Sequence, residues 1–363
     1  MKKTFLFLSI AALSLASCSS DDNATTTAEI PSVGDVLQPA VGGPNQPNQV
    51  FVDLSAEGAT SARRDSWDFG FATGSEFRVI LNGSLKMAAK KLETSDITLP
   101  QTADENVGVG QGTFPASNGY VDNPTGIFTG TAAGEGTAIA AISATDADNK
   151  VYLVNLGFAI STETPATGAV ATDGASRGWL KVRVLRSGNG YKIQYAPLNA
   201  TTFTEKTVEK NAEFNYTFFS TTTGATTSVE PQKTKWDLSF TTFTNYLQAG
   251  PAPVTYGYSD FIVTNVKGGT QAYQVLNAEG ETYENFTKAK VIENNFTVSA
   301  TDQRAIGSNW RAGGGPGSLP SIRTDRFYVI KDVTGNYYKI KFLAMTNQAG
   351  ERGNPTFEYA LLQ

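Results

Sequence analysis

The chain of 363 residues contains no histidine and a single cysteine, Cys18. Without histidine, a Ser-His-Asp triad, an imidazole base and a histidine-containing zinc site are excluded. A single cysteine excludes an intramolecular disulfide and a multi-cysteine zinc site. Carboxylate catalysis needs only two acids, but no Asp or Glu pair stands out. These absences indicate that the protein is not an enzyme.

Charge is also sparse, since charged residues make up only 17% of the chain, with 29 Lys and Arg against 34 Asp and Glu. No basic stripe is present in the sequence. Because nucleic acids are bound by clustered Lys and Arg, this mildly acidic balance argues against a nucleic-acid partner.

The amino terminus carries two lysines, an apolar stretch of twelve residues (5–16) and the sequence LASC (15–18). Twelve residues are too few to cross about 30 Å of hydrocarbon as a helix. The pattern resembles a bacterial lipoprotein signal, which is cleaved before a cysteine that becomes acylated. We therefore predict a signal peptide over 1–17 and a lipid on Cys18. The alternative is an ordinary secretory signal that happens to contain a cysteine.

The residues after Cys18 begin with SSDD (19–22), which resembles the export signal that carries lipoproteins of Bacteroidota-type bacteria to the cell surface. Thr, Pro, Gly, Asn and Gln are frequent in the stretch that follows, so we predict a flexible tether over 18–48. These features predict a protein anchored in the outer membrane by the lipid on Cys18 and exposed at the cell surface.

The rest of the sequence is rich in short apolar runs and turn residues. Runs such as VYLVNLGF (151–158) and WLKVRVL (179–185), together with 35 glycines, favour strands and turns. No long segment has a helical periodicity. The sequence therefore predicts an all-β fold.

A repeated pattern runs through this β-rich part. The stretch RDSWDFGF (64–71) returns as TKWDLSF (234–240), and apolar residues alternate in both, as they do in half-buried strands. Each copy is preceded by an alternating strand that runs into a Gly-Ala-Thr turn, at 50–60 and at 217–227. The Trp-Asp strand therefore recurs with its upstream neighbour.

The features downstream of the Trp-Asp strands recur as well. Residues 179–195 and 326–342 each contain two alternating strands around a Gly-Asn pair, which favours a tight hairpin because both residues tolerate positive φ. We expect closing strands at 213–218 and 356–362, where Phe-x-Tyr occurs in both copies.

This order of matched features predicts a tandem duplication. We assign one antiparallel β domain to 49–212 and a second to 213–363, with the boundary within about 205–220. The alternative is that alternating strands look alike in any β-rich chain.

The lipoprotein signal and four motifs resemble the HmuY-like family of Bacteroidota surface lipoproteins. The likeness covers 212–363, with a weaker tandem copy over 48–215. The resemblance implies two tandem antiparallel β domains and, as in the founding members, capture of haem for an outer-membrane transporter. The motifs are WDLSF (236–240), AIGSNWR (305–311), YVIKDVTGNYYKIKF (328–342) and GERGNPTFEY (350–359).

The chain differs from the family pattern in the residues that could bind haem iron. The best-known members hold haem iron between two histidines, which this chain lacks, whereas other relatives use methionine. Haem accepts both Met and Tyr as axial ligands. The candidates in the second copy are Met345 together with Tyr246, Tyr256 and Tyr258, which we expect in the loop after the Trp-Asp strand. Met87 is the other methionine of the mature chain, and the alternative role for each Met is to fill the core.

Two classes of function fit the sequence. The first is a surface lipoprotein that captures a ligand, such as haem or a related porphyrin, and delivers it to a membrane partner. The second is a non-enzymatic adhesion or scaffold lipoprotein that binds a glycan or a protein. Aromatic residues, at 11% of the chain, serve porphyrin slots and sugar platforms alike.

Replacing Cys18 by Ser should release the protein from membranes, because the lipid on this thiol is the anchor that the sequence predicts. Fractionation of cells measures the release. Protease added to intact cells should digest the wild-type protein, and resistance before lysis with digestion after it would contradict exposure at the surface.

Overall fold

The computed structural model describes residues 31–110, 117–249, 252–277, 280–313 and 319–363, so that Cys18 lies outside the described residues. Its regular structure is almost entirely antiparallel β, which confirms the all-β prediction. Within these ranges, no helix has the length and apolar character needed to cross a membrane.

Twenty-two strands and one short α-helix are present in the described residues, with five 3₁₀ turns between them. The strands are β1 (Gly34–Leu37), β2 (Asn48–Asp53), β3 (Gly58–Arg63), β4 (Phe69–Ala72), β5 (Val79–Leu81), β6 (Ala88–Lys91), β7 (Tyr152–Asn155), β8 (Phe158–Ile160), β9 (Asp173–Ser176), β10 (Trp179–Ser187), β11 (Gly190–Ala196), β12 (Thr204–Val208), β13 (Tyr216–Ser220), β14 (Ala225–Thr227), β15 (Leu238–Ala249), β16 (Ala252–Thr264), β17 (Gln271–Leu276), β18 (Arg311–Ala312), β19 (Ser321–Ile322), β20 (Arg326–Lys331), β21 (Tyr337–Thr346) and β22 (Arg352–Leu361). The helix α1 is Glu293–Ser299, and the 3₁₀ turns are Gly43–Asn45, Gly83–Leu85, Ser117–Tyr120, Asp146–Asp148 and Lys288–Lys290.

Both predicted hairpins form. Strands β10 and β11 pair up to Ser187 and Gly190, which leaves a two-residue turn of the predicted tight kind. The loop between β20 and β21 is longer, and Asp332 holds it by accepting hydrogen bonds from the backbone N–H groups of Thr334 at 2.9 Å and Asn336 at 2.8 Å. In the second copy, a longer loop stabilised by the Asp332 carboxylate therefore takes the place of the two-residue turn of the first copy.

Two four-stranded sheets have the same strand arrangement. One has the order β14-β13-β4-β5 and the other has the order β3-β2-β15-β16. In the first, Phe218 lies opposite Gly70, and Gly70 lies opposite Ile80. At the corresponding positions of the second sheet, Phe51 lies opposite Ser239. The two sheets thus agree in register as well as in order.

These sheets are formed by an exchange between the two sequence repeats. The opening hairpin of the first repeat, β2–β3, pairs with the second Trp-Asp strand, β15, while the opening strand of the second repeat, β13, pairs with the first Trp-Asp strand, β4. Strand pairing therefore crosses the predicted boundary between 49–212 and 213–363. As two domains, the segments 49–212 and 213–363 stay a prediction.

The aspartates of the two Trp-Asp strands, Asp68 and Asp237, accept hydrogen bonds from the exchanged segments. Asp68 accepts hydrogen bonds from the backbone N–H and the hydroxyl of Thr221, at 2.7 and 2.6 Å, directly after β13. Asp237 accepts one from the backbone N–H of Leu54 at 2.9 Å, directly after β2. Each aspartate therefore satisfies the end of a strand that comes from the other repeat.

Each four-stranded sheet shares a hydrophobic core with a five-stranded sheet. The sheet that contains β4 shares a core with β12-β11-β10-β7-β6, centred on residues such as Phe71 and Tyr191. The sheet that contains β15 shares a core with β1-β22-β21-β20-β17, centred on residues such as Phe240 and Tyr338. The fold is thus two sandwiches joined by exchanged hairpins.

The tether prediction over 18–48 was wrong in its carboxyl-terminal part. Residues 34–37 form β1, which pairs with β22 from Gly34 opposite Ala360 to Leu37 opposite Phe357. Val41 is buried in the adjoining core. The open edge of β22 provides backbone partners, which overcome a local composition typical of a loop.

A fragment of residues 211–363 should lack cooperative unfolding, because β15 loses its partner β2 and Asp237 loses its contact with the end of that strand. Thermal melting followed by β-sheet circular dichroism measures this, with residues 31–363 as the matched control. A cooperative transition of the isolated fragment would show instead that the second repeat folds without the exchanged hairpin.

Candidate ligand-binding site

A cleft opens between the two four-stranded sheets. It encloses about 1020 Å³ of empty space, part of which is open to solvent. Equivalent positions of the two repeats line it together, because the exchange brings the same strands to both sides. These pairs are Gln49 and Tyr216, Phe51 and Phe218, Trp67 and Trp236, Ile80 and Val263, and Leu81 and Thr264.

The floor of the cleft is an aromatic cluster that joins the two sheets. Trp67 contacts Phe218 edge-to-face with ring centroids 4.7 Å apart, and Trp236 contacts Phe51 in the same manner at 5.0 Å. Each such pair links the two repeats within one sheet and contributes about 1 kcal/mol beyond its buried area. Both indole nitrogens are enclosed and have no hydrogen-bond partner among the described residues. The indoles therefore act here through ring packing.

Three aromatic side chains in the walls are only half-buried, namely Phe128, Tyr216 and Phe243. The ammonium of Lys267 lies 5.4 Å from the ring centres of both Phe128 and Tyr216, and it donates a hydrogen bond to Glu76 Oε1 at 2.5 Å. Cation–π attraction fixes these two rings around the lysine. The walls thus present ring surface to whatever enters the cleft.

Two carboxyl groups also line the cleft. Asp122 accepts hydrogen bonds from the backbone N–H groups of Leu81 at 2.7 Å and Ala138 at 2.8 Å. Glu230 accepts two from the backbone, the shorter one from Asn215 at 2.7 Å. Although part of Asp122 is accessible in the cleft, desolvation raises the pKa of each carboxyl to about 7. Both groups are therefore substantially protonated near neutral pH.

The predicted iron ligands lie elsewhere. Met345 is 2% exposed and belongs to the core of the second sandwich. Tyr246, Tyr256 and Tyr258 were expected in a loop, but they lie on the long hairpin β15–β16, because the alternating stretch extends the Trp-Asp strand. None of the four is among the residues that line the cleft. As iron ligands they stay a prediction.

The hairpin also separates the three tyrosines. The rings of Tyr256 and Tyr258 are 5.0 Å apart on one face. Tyr246 lies on the other face, since it pairs with Thr255 while Tyr256 pairs with Asn245. Burial raises the pKa of the Tyr246 and Tyr258 phenols, so both stay protonated at neutral pH.

Sequence reasoning missed most of the cleft. Trp67 and Trp236 were recognised only as parts of matching strands, although their recurrence was the available signal. Asp122, Phe128 and Lys267 lie in segments without a motif, and nothing in the sequence shows that they meet.

The family model described as HmuY protein matches residues 45–359. The chain belongs to the HmuY family. The match includes every strand that borders the cleft.

Other comparisons add little. None of the curated proteins matches the chain. Among solved structures, the crystal structure of apo PinO from Porphyromonas gingivitis matches with 14% sequence identity, covering 45% of this chain and 86% of that chain, at a TM-score of 0.17. A TM-score this low supports no inference.

The lining of the cleft suits the macrocycle of haem in its chemistry and does not suit its iron. Its ring-lined walls suit a flat apolar body. Met87 is the lining methionine, but it is 1% exposed and packed in the core of the first sandwich. In the parts of the chain that the structure covers, no three His, Cys, Asp or Glu side chains form a metal-binding group.

The raised pKa of Glu230 predicts a pH-dependent stability. A carboxyl that holds its proton more tightly in the folded state stabilises the fold below its unfolded pKa of 4.5, and this contribution is lost as pH rises towards about 7. Within that window, the unfolding free energy should fall by up to about 1.4 kcal/mol per pH unit for this group. Asp122 and Asp237, whose pKa burial also raises to about 7, add to the slope.

Glu230→Gln should therefore reduce the slope without abolishing it, as measured by urea unfolding from pH 4 to 8. The control is Glu351→Gln, since Glu351 is exposed and lies outside the cleft. An unchanged slope in Glu230→Gln would show that this carboxyl does not titrate in the window.

Proposed function

We propose that this HmuY-family protein is a surface lipoprotein that captures haem or a related porphyrin in the cleft between its two sandwiches. The observation that carries the proposal is the family match over 45–359, which spans all strands around a cleft walled by Phe128, Tyr216 and Phe243. The function is binding and not catalysis.

The chemistry of the cleft supports such a ligand. Small-molecule sites are concave and mostly apolar, with a few convergent polar groups. Here the charged groups are Asp122, Glu230 and Lys267, set among aromatic, aliphatic and uncharged polar side chains. Lys267 is the cation among the lining residues, and a carboxylate on the ligand would compete with Glu76 for it.

The cellular setting follows from the amino-terminal sequence. A lipid on Cys18 would hold the protein in the outer membrane, and the SSDD stretch would direct it to the cell surface. Capture at the surface is useful only when the ligand is passed on, so an outer-membrane transporter is the partner that we propose.

Titration of haemin into the Cys18→Ser protein should shift the Soret band and quench tryptophan fluorescence, with both signals saturating together. Quenching is expected because Trp67 and Trp236 form the floor of the cleft. Val266→Asp should weaken binding about tenfold or more, because it places a charge in the apolar wall.

The control is Val36→Asp, since Val36 is 51% exposed on β1 and is not a lining residue. Thermal melts establish that both variants are folded. Absence of any saturable change with the Cys18→Ser protein that has no cleft substitution would refute porphyrin capture and leave the adhesion or scaffold alternative. Equal binding by the two variants would place the ligand outside this cleft.

A further inference from the structure

The charged side chains that line the cleft are already committed to protein partners. Asp122 and Glu230 each accept two backbone hydrogen bonds. Lys267 is paired with Glu76. A ligand that needed one of these groups as a metal ligand would break contacts that hold the walls together, and the freed backbone N–H groups would lose their partners.

Two lining residues, Met87 and Tyr216, belong to types that can bind haem iron. Neither is in a state that allows such a bond. Met87 is 1% exposed, and its side chain packs in the core with residues such as Leu85 and Leu156. Tyr216 reaches the cleft, but burial raises the pKa of its phenol well above the usual value, and the nearby carboxyl of Glu230 adds to the shift. Its oxygen therefore stays protonated, whereas a phenolate is the form that binds ferric iron.

The surface that remains open to a ligand includes several rings and aliphatic groups. Phe128, Tyr216 and Phe243 are half-buried, as are Ile80 and Val263 on the two equivalent edge strands. Such surfaces hold a flat aromatic body by burial and stacking, and neither interaction depends on a metal at the centre of the body.

We propose that the cleft binds the porphyrin macrocycle through its faces and edges, without a bond from the protein to the metal. This inference rests on the proposed function, since it names how the same cleft recognises its ligand. Metal-free protoporphyrin IX therefore binds as tightly as haemin, and the protein is a carrier of the macrocycle with or without iron.

The test titrates haemin and metal-free protoporphyrin IX separately into the full chain carrying Cys18→Ser, and tryptophan quenching is followed for both ligands. The dissociation constants should agree within about threefold. Met87→Leu keeps the volume of the side chain and removes the thioether, so it should leave both constants and the Soret maximum of the haemin complex unchanged.

Phe128→Ala removes an open ring from the wall and should weaken both ligands in parallel, by about tenfold. The matched control is Phe203→Ala, since Phe203 is 40% exposed and is not a lining residue. Thermal melts show whether Phe128→Ala is folded, and Val266→Asp is a second variant of the same wall.

The outcomes separate the two proposals. If haemin binds and metal-free protoporphyrin IX binds more than about tenfold more weakly, a bond to the metal contributes and the inference fails, while the proposed function stands. A Soret maximum displaced by Met87→Leu overturns it in the same way. If neither porphyrin binds, both the inference and the proposed function fail.

Discussion

Each sandwich of this protein depends on a hairpin supplied by the other repeat. Strand β2 pairs with β15 of the second repeat, and β13 pairs with β4 of the first repeat. The side chains of Asp68 and Asp237 accept hydrogen bonds from the residues that directly follow β13 and β2. Backbone pairing fixes the register, and the two carboxylates satisfy groups that would otherwise be unpaired at a buried junction. The relation between the two sandwiches is therefore set by hydrogen bonds within sheets, which are far more specific in geometry than a packing contact between separate domains.

The cleft is a by-product of that exchange. Because equivalent strands meet at the junction, the two tryptophans and their phenylalanine partners form a floor with matching halves. The walls above it have diverged, since Lys267 stands where the first repeat has Ser84. The equivalent strands thus determine where the cleft lies. The side chains that differ between the repeats make its two sides chemically different.

The elements that could be predicted from the sequence are those determined by residues close together in the chain. The hairpins at 179–195 and 326–342 are correct because alternation and a Gly-Asn pair act within a few residues. The exchange was not predictable, because an open strand edge accepts either hairpin and the repeats are alike in their opening strands. Tyr256 and Tyr258 were placed in a loop for a related reason, since the stretch continues the Trp-Asp strand beyond the part that recurs.

The first and last described strands lie side by side. Leu37 of β1 is opposite Phe357 of β22, so the sheet closes between residues 320 positions apart (357 minus 37). Contacts this distant in the chain form late, because a long loop must be ordered first. A polypeptide synthesised from its amino terminus cannot complete this sheet until β22 has been made. Completion of the second sandwich therefore waits for the carboxyl-terminal strand β22, whereas every strand of the first sandwich lies earlier in the chain.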